Sequence, residues 1–483
     1  MKRFTIFAIM ALFLLGTVAT ASAVEMKASG SWRVSGNWMS NMNDFDDDDS
    51  SDNFNVKQRA RTYFEFIANE DLKGVLKTEI GDFYWGNGAG EVSGDEEAIE
   101  VKNAYLDFNI PNTEVNIKAG LQGLTLPGFV GGSPLFSDDV AGLTFNAPIT
   151  DMVGVTGGWG RLQDNDVNES ETDDSGDDLD LGFLAVPLNF DGLEFAPYFG
   201  YVWIGKDVLA NTNSSSSGSI TLDNGTVMNT VSNDSNNGPW AGISNPMPWM
   251  NSIAEDHLAG VNEFDDSGAW YAGIPMKLSM FDPLVVMADV HYGRMDIEVE
   301  DADKDDIEIK GWLADLAVEY KMDMMTPMIF GSYSTGLDKD DVDDDEYGIY
   351  PAIDGCWAVD TMLTDNSAFG VDLALYQPVS MWTVGARLKD ISFVEDLTHE
   401  VGVIYAKGTS DKEVANFGND GLLNDDESLL AADFTTKYMI YENLAAIAEL
   451  GYAKYDADYA DDVEGDDDTD NAYKAVVGFK YDF

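Results

Sequence analysis

Polar and apolar residues alternate along most of this chain in segments of roughly 9 to 15 residues, and a helical period is poorly represented in any of them. A period of two places successive side chains on opposite faces of an extended strand. The pattern predicts strands over 26–39, 56–69, 73–86, 98–110, 113–122, 139–148, 152–162, 178–188, 192–205, 268–280, 283–298, 306–320, 325–336, 379–393, 399–408, 430–441, 444–457 and 471–483. In "NVKQRARTYFEF" one face carries Lys57, Arg59, Arg61, Tyr63 and Glu65, and the other carries Ala60, Thr62, Phe64 and Phe66. The first strand opposes Ser31, Arg33, Ser35 and Asn37 to Trp32, Val34, Gly36 and Trp38. The last sets Tyr473, Val477, Phe479 and Tyr481 against Lys474 and Lys480, which are expected to face water.

The connections come in two lengths. "NED", "PNT", "TDM", "NFDG", "FDP" and "YEN" suit tight turns. Between them fall long stretches such as "NMNDFDDDDSSDNF", "NDVNESETDDSGDD", 206–267, "DKDDVDDDEYG" continuing through 378, "ANFGNDGLLNDDES" and "YADDVEGDDDTD". Short turns on one rim and long loops on the other predict an all-β fold, a transmembrane antiparallel β-barrel with short periplasmic turns and acidic extracellular loops. A soluble β-sandwich has no reason to segregate its loop lengths in this way. Unpaired strand edges are not tolerated in hydrocarbon, so the sheet must close, first strand against last. The segment count gives eighteen strands; a miscounted hairpin would give sixteen.

Composition sharpens this picture. There are 88 Asp plus Glu against 27 Lys plus Arg, a formal charge of −61 that repels phosphate backbones and excludes nucleic acid as a partner. The 11 Trp, 20 Tyr and 25 Phe can supply the aromatic girdles of a lipid-facing band. Residues 1–23 have a basic start at Lys2 and Arg3, an apolar stretch, and Ala21-Ser22-Ala23; they read as a signal peptide, with a membrane anchor as the other reading. Residues 24–483 then form one barrel domain. No apolar run of 18 residues follows the leader, which excludes ordinary transmembrane helices. Cys356 is the one cysteine, so no internal disulfide and no paired-cysteine metal motif exists. The acidic runs Asp46 to Asp49, Asp338 to Glu346 and Glu464 to Asp468 lack EF-hand spacing and suit diffuse calcium or magnesium; no other metal and no cofactor is expected. His257, His291 and His399 stand in no hydrolase or metalloprotease motif, so an enzyme is not expected.

The connection from Gly123 to Asp138, "GLTLPGFVGGSPLFSD", is apolar, rich in Gly and Pro, and uncharged until its end. Such a segment, marked by Gly123, Leu124, Pro127, Gly131, Gly132 and Pro134, is expected to fold into the barrel and narrow it; packing between subunits or over a neighbouring rim is the other reading. Arg33, Lys57, Arg59 and Arg61 would then face Glu65, Asp107, Asp138 and Asp139 across a constriction, and the field between charged walls would sort solutes. Arg387 is a further candidate, whereas Arg161 and Arg294 fit better as partners of nearby carboxylates. Trp85 and Trp159 suit either a lumenal sugar path or an interfacial girdle.

"RARTYFEFIANEDLKGVLKTEIGDFYWG", "IEVKNAYLDFNIPNTEVNIKAGLQGLTLPG" and "GGSPLFSDDVAGLTFNAPI" together resemble the outer-membrane homotrimeric porins of sulfate-reducing delta-proteobacteria, most strongly over 56–160. The resemblance implies a trimer of water-filled barrels that pass small hydrophilic solutes and ions, with the third external loop, here 123–138, tucked into each lumen. It also implies outer-membrane lipid and the barrel-insertion machinery as partners, the latter reading the terminal Phe483. The long 206–267, with "PWAGISNPMPWMNSIAEDHLAG", departs from that pattern and leaves the outer vestibule and the solute open. Acidic loops should favour cations. A sugar-type porin, or an adhesive surface protein mounted on a plugged barrel, are the alternatives. Deletion of Phe483 is expected to lower the yield of membrane-inserted protein in cells while sparing refolding in detergent; equal membrane yields would remove that role.

Overall fold

The computed structural model describes residues 24–42, 45, 53–87, 90–92, 98–164, 178–205, 218–221, 227–230, 265–299, 306–342, 346–373, 375, 377–415, 422–456 and 471–483. The proposed signal peptide, most of 206–267, and the acidic runs 46–49 and 464–468 lie outside the described residues. Eighteen antiparallel strands close into a barrel, each hydrogen-bonded to its neighbours in the sequence. They are β1 (Glu25–Ser40), β2 (Asn53–Asn69), β3 (Leu72–Tyr84), β4 (Ile99–Asn109), β5 (Asn116–Thr125) and β6 (Ser137–Pro148). Next come β7 (Gly154–Gln163), β8 (Leu179–Ala185 and Leu188–Phe190), β9 (Leu193–Phe195 and Tyr198–Ile204) and β10 (Ser267–Gly273 and Met276–Phe281). The rest are β11 (Leu284–Ile297), β12 (Ile307–Tyr320), β13 (Thr326–Ser334), β14 (Met381–Val394), β15 (Leu397–Gly408), β16 (Ser428–Tyr441), β17 (Leu444–Asp456) and β18 (Ala472–Asp482).

Closure is made by β18 against β1, in register from Ser31↔Asp482 to Ser40↔Tyr473. Phe483 extends that ladder by one rung, exchanging backbone hydrogen bonds with Gly30 at 2.8 and 3.0 Å, and its ring stacks on Tyr481. Three strands are interrupted where a proline enters: Val186-Pro187 in β8, Ala196-Pro197 in β9 and Ile274-Pro275 in β10. Proline has no N–H to donate to the ladder. The neighbouring amides of Val186 and Ala196 still reach the carbonyls of Pro197 and Pro275, at 2.9 and 3.0 Å, so the wall remains continuous through the breaks.

The outward face carries the apolar set of each strand. Trp32, Trp38, Tyr473, Val477 and Phe479 all point away from the barrel, as the alternation predicted. Toward the long-loop rim, rings of adjacent strands meet in pairs, Trp38 with Phe54, Trp270 with Tyr292, Tyr292 with Trp312, and Trp382 with Tyr405, and Tyr201 meets Trp203 along β9, at centroid separations of 4.6 to 5.4 Å. These amphipathic rings form the interfacial girdle at that end. Trp159 belongs to this outer surface, with Arg161 over its ring, and so does not line the lumen. Arg161 pairs there with Asp178 and Asp180, and Arg294 with Asp296 and Glu308, each neutralising carboxylates of its own wall.

The interior departs from the expected wet lumen. Leu179 and Leu181 of β8, Val202 and Ile204 of β9, and Ile307, Ile309 and Leu313 of β12 point inward and are buried in one continuous core. Over these positions the inner wall is therefore as apolar as the lipid-facing band, and it packs against chain folded inside. Lys474 corrects the sequence expectation in the same way. It does point inward, but its side chain is completely buried, donating to the carbonyls of Thr361 and Val371 and pairing with Glu449 at 3.2 Å. The overlying segment replaces the water that its ammonium was expected to meet.

Val477 lies at the middle of β18 on the outward face. Val477→Arg is expected to lower stability by about 2–4 kcal/mol in denaturant titrations of the barrel folded in phospholipid vesicles, because an arginine at mid-depth meets hydrocarbon.

Candidate channel constriction

Among the described residues, two connections enter the barrel. The first, 126–136, joins β5 to β6. It is shorter than the expected 123–138, because Gly123 and Leu124 complete β5 opposite Asp139 and Asp138. Leu126, Val130, Leu135 and Phe136 are buried. The backbone amides of Phe129 and Val130 donate to Asp289 Oδ2 on β11, at 2.8 and 2.7 Å. The turn thus crosses from the β5–β6 wall to a wall five strands away.

The second connection, 335–380 between β13 and β14, was grouped by sequence with the acidic external loops. The structure corrects this, because only its beginning is acidic. Beyond Glu346 the chain reads "YGIYPAIDGCWAVDTMLTDNSAFG", and Tyr350, Ile353, Trp357, Met362, Leu363 and Phe369 are buried inside the barrel. The apolar character that marked 123–138 is present here too, masked by the Asp-rich stretch before it. The two segments grip each other through backbone hydrogen bonds: Cys356 N–H to Ser133 O and Ala358 N–H to Gly131 O at 2.7 Å, and Ser137 N–H to Asp354 O at 2.6 Å. Gly131 and Gly132 have φ of +78° and +124°, and a Cβ on either would come within 2.9 Å of Trp357 or 2.7 Å of the Cys356 carbonyl. Only glycine allows this left-handed path and this close approach. Pro127 and Pro134 flank the same turn.

Charged side chains collect on the other side of the interior, on β1, β2 and β3. Arg33, Lys57 and Arg59 all reach Asp82 Oδ2, at 2.9, 3.4 and 3.3 Å. Arg61 pairs with Glu79. Arg33 and Arg59 are directly opposite in the β1–β2 register, a juxtaposition of like charges that would be unfavourable without the shared carboxylate. Arg33 also donates to the Ala368 carbonyl on the second loop at 3.2 Å. Asp365 on that loop is exposed, close enough for Arg33, Arg59 and Arg61 to act on its charge.

The remaining predicted residues do not join this group. Glu65 and Asp107 flank Lys73, at 2.5 and 3.8 Å, near the short-turn rim. Asp139 accepts from Asn103 at 2.6 Å and lies 3.8 Å from Lys102. Asp138 meets Asp354 of the second loop. Arg387 is buried in a bidentate pair with Asp433, at 2.8 and 2.9 Å, beneath the second loop. The acids that do face the arginines, Asp82, Glu79 and Asp365, were not singled out from the sequence. Glu79 was reachable, since it stands across from Arg61 once β2 and β3 are paired. Asp82 and Asp365 depend on a register shift in β3 and on a loop trajectory, neither of which alternation encodes.

No protein-family model matches the chain and no curated protein matches it by sequence. Among solved structures it is similar to OccAB3 of Acinetobacter baumannii (11% identity, 95% of this chain and 99% of that one, TM-score 0.51). It is similar also to OpdQ of Pseudomonas aeruginosa (11%, 96% and 99%, TM-score 0.51). A third likeness is to the outer membrane protein OprD of Pseudomonas aeruginosa (13%, 96% and 96%, TM-score 0.50). At these identities the likeness is one of fold. The chain has the multi-pass topology of a bacterial outer-membrane β-barrel of porin type.

Asp354 links the two loops. Burial, and then the neighbouring Asp138 to which its protonated carboxyl donates, raise its pKa to about 8 from an ordinary value near 4. The folded chain holds this proton more tightly than the unfolded one, so the associated stability is fully present below about pH 4 and is lost as pH rises through about 8. Unfolding midpoints in detergent are expected to fall between pH 6 and pH 9 by more in the wild type than in Asp354→Asn, in which the titration is gone. Equal falls in the two proteins would refute this linkage.

Proposed function

We propose that this barrel is a substrate-selective outer-membrane channel, and that its selectivity resides where the β1–β3 wall faces the second inward loop. The observation that carries this reading is the uneven filling of the interior. The inner faces of β8, β9 and β12 are buried under apolar chain, whereas Arg33, Lys57, Arg59, Arg61 and Asp82 keep 13 to 30% of their side chains exposed. A narrow polar strip of this kind supports passage of small hydrophilic solutes in contact with charged groups, in preference to free diffusion through a wide pore. Three cations sharing one carboxylate leave an excess of positive charge, and Asp365 opposes it across the gap. The resulting field would orient solutes that carry separated charges. Nothing in this reading requires catalysis. Assembly as a homotrimer is supported by the resemblance of 56–160 to trimeric porins, and the acidic loops support accumulation of cations at the mouth.

A second reading, a closed barrel serving as a mount for surface loops, is favoured by the extent of the apolar filling. Planar-bilayer recording separates the two. The channel gives conductance steps, in threes for a trimer, whereas the mount gives none. Arg59→Gln with Arg61→Gln is expected to shift the reversal potential in a potassium chloride gradient toward cation preference, and Asp365→Asn to shift it the opposite way. Each charge is worth about 1 kcal/mol at 4 Å in water, roughly a fivefold change in the relative occupancy of cation and anion. A reversal potential unmoved by either change would place the selective step elsewhere.

A further inference from the structure

Asp289 and Asp315 stand directly opposite each other on β11 and β12, and His291 follows two residues along β11 on the same inward face. All three are buried, with 0, 3 and 0% of their surfaces exposed respectively. One donor atom from each comes within 4.8 Å of the other two. Four polar atoms here have no hydrogen-bond partner: Asp289 Oδ1, His291 Nε2 and both carboxylate oxygens of Asp315. No positive side chain among the described residues acts on either carboxylate. Two facing carboxylates in a water-excluded place, each short of partners, are costly unless a proton or a metal ion lies between them.

We propose that Asp289, His291 and Asp315 form a binding site for one divalent transition-metal ion. Two carboxylate oxygens and one imidazole nitrogen are the donor set of a borderline first-row ion such as zinc or manganese, better suited to it than to calcium or magnesium. The surroundings are arranged for this. His291 Nδ1 lies 2.8 Å from the Tyr198 hydroxyl, so an Nδ1–H donating to that oxygen leaves Nε2, which has no hydrogen-bond partner, as a lone-pair donor for an ion. Asp289 divides its oxygens: Oδ1 is free for the ion, and Oδ2 accepts from the amides of Phe129 and Val130. An ion held in the wall would thereby also fix the carboxylate that anchors the turn of the first inward loop. The site does not depend on transport, because metal content is measurable whether or not the barrel conducts.

The test uses the full chain, folded in detergent, stripped with EDTA and titrated separately with zinc, manganese and cobalt ions. The wild type is expected to retain about one ion per chain after desalting, and to show cobalt d–d absorption that zinc abolishes. Asp315→Asn and His291→Gln are each expected to weaken binding by about tenfold or more. Their folding is checked by the heat-dependent gel migration of intact barrels. Hydrogen exchange at Phe129 and Val130 should slow when zinc is added to the wild type and stay unchanged in the variants. A wild-type chain with neither retained ion nor cobalt absorption overturns the proposal. So does retention that both folded variants match, which would assign the ions to the acidic loops. If neither variant folds, unchanged exchange at Phe129 and Val130 in the zinc-loaded wild type overturns it.

Discussion

Everything in this molecule follows from the requirement that no backbone N–H or C=O be left unpaired in hydrocarbon. The requirement is met by the ladder between β18 and β1, which turns an open sheet with two sticky edges into a cylinder without any. Once the cylinder is closed, its outer surface has a fixed chemistry, apolar with aromatic rims. Chemical variety is left to its inside and its ends. The three proline breaks in adjacent strands β8, β9 and β10 illustrate how tightly the constraint binds, since the amides beside them are still paired across the breaks.

The interior is where the chain becomes specific. Nothing requires the inner face of a wide barrel to be dry, yet here two connections supply apolar side chains that bury one side of it. The opposite side keeps its arginines and carboxylates. The proposed constriction rests on this contrast between the two sides. Buried ion pairs such as Arg387 with Asp433 and Lys474 with Glu449 lie under the second loop, where losing one partner would strand a charge. They tie the loop to the wall in one arrangement.

Much of the fold was legible because alternation is a local signal. The paired faces of β1, β2 and β18, the eighteen segments and the segregation of loop lengths are all properties of short windows, and they survive folding unchanged. The cluster of Arg33, Lys57, Arg59 and Arg61 was legible for the same reason: neighbouring strands bring same-face residues together. What was not legible depends on where loops travel. The second inward segment was hidden behind Asp338 to Glu346, and the opposing acids Asp82 and Asp365 were set by a register shift and by a loop path. Lys474 had the right face but the wrong neighbour, because period two fixes direction and says nothing about what fills the space beyond.

The hydrogen bonds from Phe129 and Val130 to Asp289 span about 160 positions of chain. They imply an order of events during biogenesis. The loop between β5 and β6 emerges long before its receptor on β11 exists, so it must wait, unsatisfied, while six further strands are laid down. The second loop grips the first and is itself held in part by Lys474 of the closing strand. The inward loops can therefore reach their final packing only as the cylinder seals, and the closing strand both completes the wall and holds them in place.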